Sequence, residues 1–247
     1  MTQKIVLALP AYNESANLEP LIIAAEQVFA TNNYPFDIVV VNDGSSDNTL
    51  DVLKHLAESR PHLHIENHPQ NRGLGAAIKT SIVAALALAP ADDDIIVNMD
   101  ADNTHDPKYI PSMADKIWKG GYDCVIASRY QAGSEEVGVP FFRLMLSRGA
   151  RLLFQLFLRL PEVRDYTCGY RAYRASLLRE AVSLHGDGLI TRQGFACTDE
   201  LLVRLSTISR KITEVPFVLR YDKKQGRSKL PLMKTVAETL KMLILKK

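Results

Sequence analysis

Short apolar runs alternate with longer segments of helical period through the first half of the chain. "KIVLALP" (4–10), "FDIVVVND" (36–43), "LHIEN" (63–67), "DIIVNMD" (94–100) and "DCVIAS" (123–128) read as strands. Between them, "LEPLIIAAEQVF" (18–29), "SDNTLDVLKHLAE" (46–58), "GLGAAIKTSIVAALALA" (73–89) and "PKYIPSMADKIWK" (107–119) repeat apolar residues at helical spacing. Such strands, apolar along nearly their whole length, belong to a sheet covered on both faces. The pattern predicts an α/β fold with a mostly parallel sheet flanked by helices. In open sheets of that kind, ligands bind beyond the carboxyl ends of the strands. Three polar stretches fall there: Pro10–Ala11–Tyr12–Asn13–Glu14, Asn42–Asp43–Gly44–Ser45–Ser46–Asp47, and Asp100–Ala101–Asp102.

From about residue 130 the pattern changes to a Gly- and Glu-containing loop (131–138), an arginine-studded apolar segment and a more irregular remainder. "VPFFRLMLSRGARLLFQLFLRLP" (139–161) contains no acidic residue. Ser147, Arg151, Gln155 and Arg159 recur along one face at helical spacing, and Met145, Leu152, Leu153, Leu156 and Leu160 line the other. A basic amphipathic helix of this type suits a membrane interface, and periodicity alone allows a core-facing helix equally. "LPLMKTVAETLKMLILKK" (230–247) is a second amphipathic segment. With no repeat, low-complexity tract or clear linker, a single domain with a specialised C-terminal half is the simplest organisation.

The composition is ordinary for a globular protein, with 47% hydrophobic and 23% charged residues in 247. A net charge of +2 is too small to argue for a nucleic-acid partner. Cys124, Cys168 and Cys197 lie far apart, which disfavours a zinc site or disulfide framework and fits a reducing compartment. The apolar part of "MTQKIVLALP" is too short for a secretory signal, and no run approaches the roughly 18–20 apolar residues that span a bilayer. These features point to the cytoplasm.

The chemistry concentrates in "NMDADNTHDP" (98–107), where Asp100 and Asp102 stand one residue apart at a strand end. Two anions so close repel and resist desolvation unless a cation lies between them or one keeps its proton. A plain Asp- and Asn-rich turn is the competing reading. In "VVVNDGSSDNT" (39–49), Gly44 suits a tight turn and Ser45, Ser46 or Asp47 a helix cap, while Asp43 is placed to accept the ring N–H of a nucleobase. "NRGLGAAIKT" (71–80) fails the dinucleotide fingerprint: its glycines follow the third strand, and Ile78 stands where the last glycine belongs. Gly73 and Gly75 are instead expected to let a helix start close to a ligand, with Arg72 near its phosphates.

"LPAYNESANL", "VVVNDGSSDNT", "NRGLGAA", "NMDADNTHDP", "ASRY" (127–130), "DYTCGYRAYR" (165–174) and "EVPFVLRYDKKQGRSK" (214–229) occur in this order. In that arrangement the sequence resembles glycosyltransferase family 2, and within it the polyprenyl-phosphate (dolichol-phosphate) mannose synthases. The resemblance runs from about residue 4 to 229. It implies a GT-A fold over 1–229, with a nucleotide-sugar half to about 130, an acceptor half to 229 and a C-terminal amphipathic helix over 230–247. It also implies a nucleotide-sugar donor, Mg²⁺ or Mn²⁺ as cofactor, and inversion at the anomeric carbon. Pro10, Tyr12, Glu14, Asp43, Arg72, Asp100, Ala101 and Asp102 would bind the donor, and Asp100 and Asp102 the metal. Thr104 is a weak ligand by type, and His105 is expected to stabilise the turn because a hard cation does not favour imidazole.

A lipid monophosphate acceptor is already largely ionised at neutral pH and needs no base. It needs cations that hold it in line, and the resemblance assigns Arg129, Arg143, Ser147, Arg220, Ser228 and Lys229 to that task. Asp102, Arg129, Arg143 and Arg220 are thereby the expected catalytic group. The implied partners are a nucleotide sugar, GDP-mannose first and UDP-glucose next, and a polyprenyl phosphate. Peripheral contact with the cytoplasmic face of a membrane follows, which leaves room for a separate membrane-anchoring subunit. Two alternatives stay open: transfer from a UDP-sugar to a glycan hydroxyl, with Asp199 or Glu200 as base, and a catalytically silent nucleotide-sugar-binding module.

Overall fold

Seven consecutive buried residues, Ile5–Ala11, form β1. The computed structural model describes residues 3–140, 149, 151, 154–156, 158–192, 194 and 196–223. β1 pairs in parallel with β2 (Phe36–Asp43) on one side, Ile5 opposite Phe36, and with β4 (Ile95–Asn98) on the other, Ile5 opposite Ile95. β3 (Leu63–His68) adds a parallel edge beside β2. Burial on both faces explains why β1, β2 and β4 are apolar at nearly every position, whereas the edge strand β3 is mostly polar and partly exposed over His64–Asn67.

The crossovers are α1 (Leu18–Thr31), α2 (Thr49–Ala57), α3 (Leu74–Leu88) and α4 (Ile110–Trp118). α2 starts three residues later than its pattern predicts, because Ser46 and Asp47 bond the β1–α1 loop instead of extending the helix. Ahead of α4, a 3₁₀ turn over Pro107–Tyr109 is capped by the Asp106 carboxylate, which accepts from the Lys108 N–H at 3.0 Å.

The remaining strands complete a sheet of order β3-β2-β1-β4-β7-β5-β8, with β5 (Cys124–Ser128), β7 (Arg171–Arg174) and β8 (Ile212–Pro216). β7 is antiparallel to both neighbours, with Asn98 and Ile126 opposite Arg171. The loop before β7 therefore arrives at the edge where β4 and β5 end. A small parallel ribbon of β6 (Glu135–Val137) and β9 (Val218–Arg220) lies outside this sheet. α5 (Ala175–His185) and α6 (Ala196–Ile208) follow β7.

Of the segment 139–161, the described residues 149, 151, 154–156 and 158 are helical, and the chain leaves the helix at Arg159, whose φ is +47°. The expected division of faces is corrected here. Phe154 and Leu158 are buried in the core, while Leu156, assigned to the apolar face, is 68% exposed, and Arg151, assigned to the polar face, is half-buried. The core takes the stripe that carries the larger ring, Phe154, which stacks on Tyr166 at 5.3 Å. Among the described residues, no helix is long and apolar enough to cross a membrane. The segment 230–247 lies outside the described residues.

Candidate active site

The ends of β1 and β2 are laced together by side chains that the turn-rich sequence supplies. The Asn13 N–H donates to Ser45 Oγ (2.9 Å), the Ser46 N–H to Asn13 Oδ1 (2.8 Å) and the Glu14 N–H to Thr49 Oγ1 (2.9 Å). Glu14 Oε2 also accepts from Asn17 Nδ2 at 2.6 Å, and Pro10 is buried opposite Val41. Tyr12, Asn13 and Glu14 are half-buried at this end.

Asp43 is 2% exposed and firmly held. Its Oδ1 accepts the Arg72 N–H (2.9 Å) and lies 2.6 Å from His68 Nδ1, and its Oδ2 accepts the Gly73 N–H (2.9 Å). The carboxylate thus anchors the loop that precedes α3. A carboxylate oxygen accepts about two hydrogen bonds, so Oδ2 has capacity for a further donor such as a base N–H. Gly44 makes the anchoring possible: its φ is +63°, and a Cβ there would stand 2.2 Å from the Gln70 carbonyl carbon.

At Gly75 the expectation is corrected. A Cβ there would lie 2.3 Å from the Arg192 carbonyl oxygen, so this glycine admits another segment of the protein rather than a ligand. Arg72 is exposed and lines a cavity of about 530 Å³ with Lys79, Ile190, Thr191 and Arg192.

Asp100 and Asp102 follow β4 in a compact turn. Asp102 is 5% exposed, and its Oδ1 accepts from the Thr104 hydroxyl (2.6 Å) and N–H (3.2 Å). His105 Nδ1 accepts the Asp100 N–H at 3.1 Å, and the ring stacks on Tyr170 at 5.1 Å. That bond places the imidazole proton on Nε2 and gives His105 a role in the turn. Ala101 is buried, and the Asn103 amide ties the turn to Asn17. Gly169 lies beside the pair: a Cβ there would be in ordinary contact with Asp100 Oδ1, at 3.8 Å.

Among the described residues, no three His, Cys, Asp or Glu side chains gather to hold an ion. Two hard carboxylates on one turn fit a divalent cation whose remaining ligands come from water and the phosphates of a substrate. They do not fit a closed protein cage.

Two strands away, at the end of β5, Arg129 makes a bidentate pair with Asp165, Nε to Oδ2 and Nη2 to Oδ1, both 2.7 Å, and Nη2 also donates to Thr167 Oγ1 at 2.7 Å. Asp165 is fully buried, and its Oδ2 accepts the Arg129 N–H too. Burial pushes this carboxyl up, but the charge and hydrogen bonds of Arg129 outweigh it and hold the group below the ordinary carboxylate range. Most of the Arg129 fork is thus committed inside the protein. Nη1 is the nitrogen outside these bonds, with Glu136 Oε1 at 3.9 Å.

Arg220 approaches from the other side. Its N–H donates to the Thr104 carbonyl (3.2 Å), and its guanidinium is forked onto Asp222 at 2.8 and 2.7 Å in a partly exposed pair. Of the remaining expected acceptor ligands, Arg143, Ser147, Ser228 and Lys229 lie outside the described residues.

Sequence reasoning missed the supports of this end. The 165–170 loop is held by Asp165, by Glu214, whose Oε1 accepts the Arg164 N–H at 2.6 Å, and by Arg171, which is 0% exposed. Arg171 donates from Nη1 to the Thr198 carbonyl (2.6 Å) and from Nη2 to the Tyr166 carbonyl (2.7 Å). The legible signal was an arginine at an inward position of "GYRAYR". Cys124, Cys168 and Cys197 are buried near this guanidinium, and burial pushes each thiol up to about 12, which leaves them inert.

Glu200, 5% exposed, accepts four hydrogen bonds: from the N–H groups of Thr191 and Arg192, the Thr191 hydroxyl and Arg204 Nη2. Burial alone would raise its pKa; these donors lower it below the ordinary value.

With this geometry in place, the comparisons with known proteins take on meaning. The family model described as glycosyl transferase family 2 matches residues 7–182. A dolichol-phosphate mannosyltransferase of Pyrococcus furiosus is 31% identical over 96% of this chain, which spans 62% of that protein's length. An undecaprenyl-phosphate mannosyltransferase of Micrococcus luteus is 30% identical over 92% of this chain and 87% of its own. Among solved structures, glucosyl-3-phosphoglycerate synthase of Mycobacterium tuberculosis with Mn²⁺, UDP and glucosyl-3-phosphoglycerate superposes with a TM-score of 0.67. It is 20% identical, over 99% of this chain and 79% of that one. The same enzyme with Mg²⁺ and UDP gives a TM-score of 0.65 at 21% identity, over 98% and 77%. These two likenesses establish the fold, a mostly parallel α/β sheet of the GT-A type. With the family model covering most of its length, the chain belongs to glycosyltransferase family 2 and is a glycosyltransferase.

Proposed function

We propose that the protein transfers a hexose, mannose from GDP-mannose in the first instance, with inversion to a polyprenyl or dolichyl monophosphate at the cytoplasmic face of a membrane. The names of the Pyrococcus and Micrococcus relatives support the acceptor class. The observation that supports the choice is Glu200, one of the two candidate bases with Asp199. A hydroxyl acceptor needs a carboxylate to take its proton, and Glu200 is instead closed over the 191–192 backbone by four hydrogen bonds. A phosphate acceptor arrives as an anion and asks only to be positioned.

In this reading, Asp43 and Arg72 receive the nucleotide, and Asp100 and Asp102 hold a divalent cation against its diphosphate. Bound there, Mg²⁺ or Mn²⁺ offsets the negative charge that develops on the leaving group. The β1 end, with Pro10, Tyr12, Glu14 and the buried Ala101 opposite it, walls the donor. Arg129 through Nη1 and Arg220 bind the acceptor phosphate, and the family pattern assigns Arg143, Ser147, Ser228 and Lys229 to the same task. The Arg220–Asp222 pair is exposed enough to exchange its carboxylate for a phosphate at small cost.

The test is a panel of nucleotide sugars incubated with Mn²⁺ and either a short polyprenyl phosphate or a glycan acceptor, followed by mass spectrometry. A mannosyl phosphodiester product is expected; glucosyl transfer to a glycan hydroxyl overturns the proposal. Glu200→Gln makes the discrimination sharper. It should lower thermal stability, yet leave kcat on the phosphate acceptor within about tenfold of the parent, whereas loss of a true base costs about 10²–10⁴-fold. A loss in that range would identify Glu200 as the base and the acceptor as a hydroxyl.

A further inference from the structure

Tyr130, at the end of β5, has two guanidinium groups over one ring: Arg129 Cζ at 5.5 Å and Arg151 Cζ at 5.0 Å from the centroid. Like charges gathered around one ring repel, and an anion beside them relieves that repulsion. Arg129 has Asp165, in a bidentate pair whose carboxylate is fully buried. Among the described residues, Arg151 has no carboxylate within ion-pair distance, and its Nε is buried without a hydrogen-bond partner. The ring face attracts a cation but accepts no N–H bond of the kind a carboxylate or phosphate provides.

The placement is not that of a solvated surface charge. Arg151, Phe154 and Leu158 stand at positions i, i+3 and i+7 of a helical stretch and so share one side of it. Phe154 and Leu158 fix that side against the core, and Phe154 stacks on Tyr166 with the two rings only 6° from parallel. Arg151 is therefore directed into the protein, to a half-buried position next to Tyr130. That position lies at the edge where β4 delivers Asp100 and Asp102. The order β4-β7-β5 puts two strand spacings, roughly 10 Å, between the ends of β4 and β5.

Resting on the acceptor reading above, we infer that Arg151, steadied by the Tyr130 ring, is a binding residue for the acceptor's phosphate monoester and supplies the cationic charge that Arg129 has largely given to Asp165. The bound dianion would complete the hydrogen bonding of the Arg151 fork. It would also relieve the repulsion between the two guanidiniums.

The experiment compares a short-chain prenyl monophosphate with the corresponding prenol in detergent micelles, measuring binding to the full-length protein alongside steady-state kinetics. The variants are Arg151→Met, which keeps apolar bulk and removes the charge, and Arg151→Lys, which keeps charge but loses the fork. For the parent, tighter binding of the phosphate than the prenol is expected. Arg151→Met should weaken the phosphate by about tenfold to a hundredfold, the equivalent of one charge-assisted hydrogen bond, and leave the prenol and the donor KM unchanged. Arg151→Lys should recover part of the loss in both binding and acceptor KM, which a purely structural role would not do. A parent that prefers the phosphate, with either folded variant keeping that preference and the parental acceptor KM in full, overturns the role of Arg151 and leaves the proposed function standing. A parent that binds phosphate and prenol alike overturns the acceptor reading, and this inference with it.

Discussion

Asp102→Asn is expected to reduce sugar transfer by about 10²–10³-fold or more while the protein melts as before, because it removes charge from the proposed cation site without removing the turn. The asparagine Oδ1 can accept from the Thr104 N–H and hydroxyl as Asp102 Oδ1 does, at 3.2 and 2.6 Å. The local geometry, and with it the approach of the Arg220 N–H to the Thr104 carbonyl, is therefore kept. What is lost is one of two anions able to balance a divalent cation. Initial rates at rising Mg²⁺ or Mn²⁺, with melting temperatures for both proteins, check this. Full turnover by the variant at saturating metal would remove Asp102 from the metal site.

The second large effect concerns stability. Asp165→Asn should cost about 3–5 kcal/mol of unfolding free energy, since it strips the buried Arg129 guanidinium of its counter-charge. The same pair sets a pH dependence whose sign follows from the lowered pKa of Asp165. A carboxyl held below its unfolded value of about 3.9 contributes stability that is complete above that value and lost as pH falls through the folded one. Glu200 adds a contribution of the same sign. The parent should thus lose stability steeply with acid below about pH 5, and Asp165→Asn should show a shallower loss from a lower plateau. Denaturant unfolding of both proteins between neutral pH and pH 3 measures it. A difference under about 1 kcal/mol at neutral pH would mean that Arg129 finds another partner.

The parts that sequence reading reached and missed divide along physical lines. β2 begins and ends where its pattern says, β1 shifts by one residue at both ends and β5 by one at its start, because a strand buried on both faces is apolar in a way that few other structures require. The placement of Asp100 and Asp102 just beyond the end of β4 was legible for a related reason, since the apolar run ahead of them marks the strand. The Arg129–Asp165 pair was not legible, since its partners stand 36 residues apart, nor was the clamp of Glu214 on the Arg164 N–H, at a separation of 50. Nothing local in "ASRY" says which carboxylate will meet the arginine. The faces of the 139–161 segment were misassigned because a helical repeat defines a stripe but not what the stripe meets; Phe154 decided that through Tyr166.

The reversed strand β7 has a consequence for how the chain is made. β4 and β5 touch each other only through it, with Asn98 and Ile126 both opposite Arg171. As the nascent chain emerges, the first five strands can be synthesised in full while β4 still shows a bare edge, its backbone N–H and C=O groups waiting for a partner that is encoded more than seventy residues later. An apolar strand with an open edge is a template for pairing with other chains. The chain thus passes through a window during translation in which its first five strands are unfinished, and the window closes when residues 171–174 slot in. Slow passage through codons between 129 and 174 would lengthen that exposure of the β4 edge.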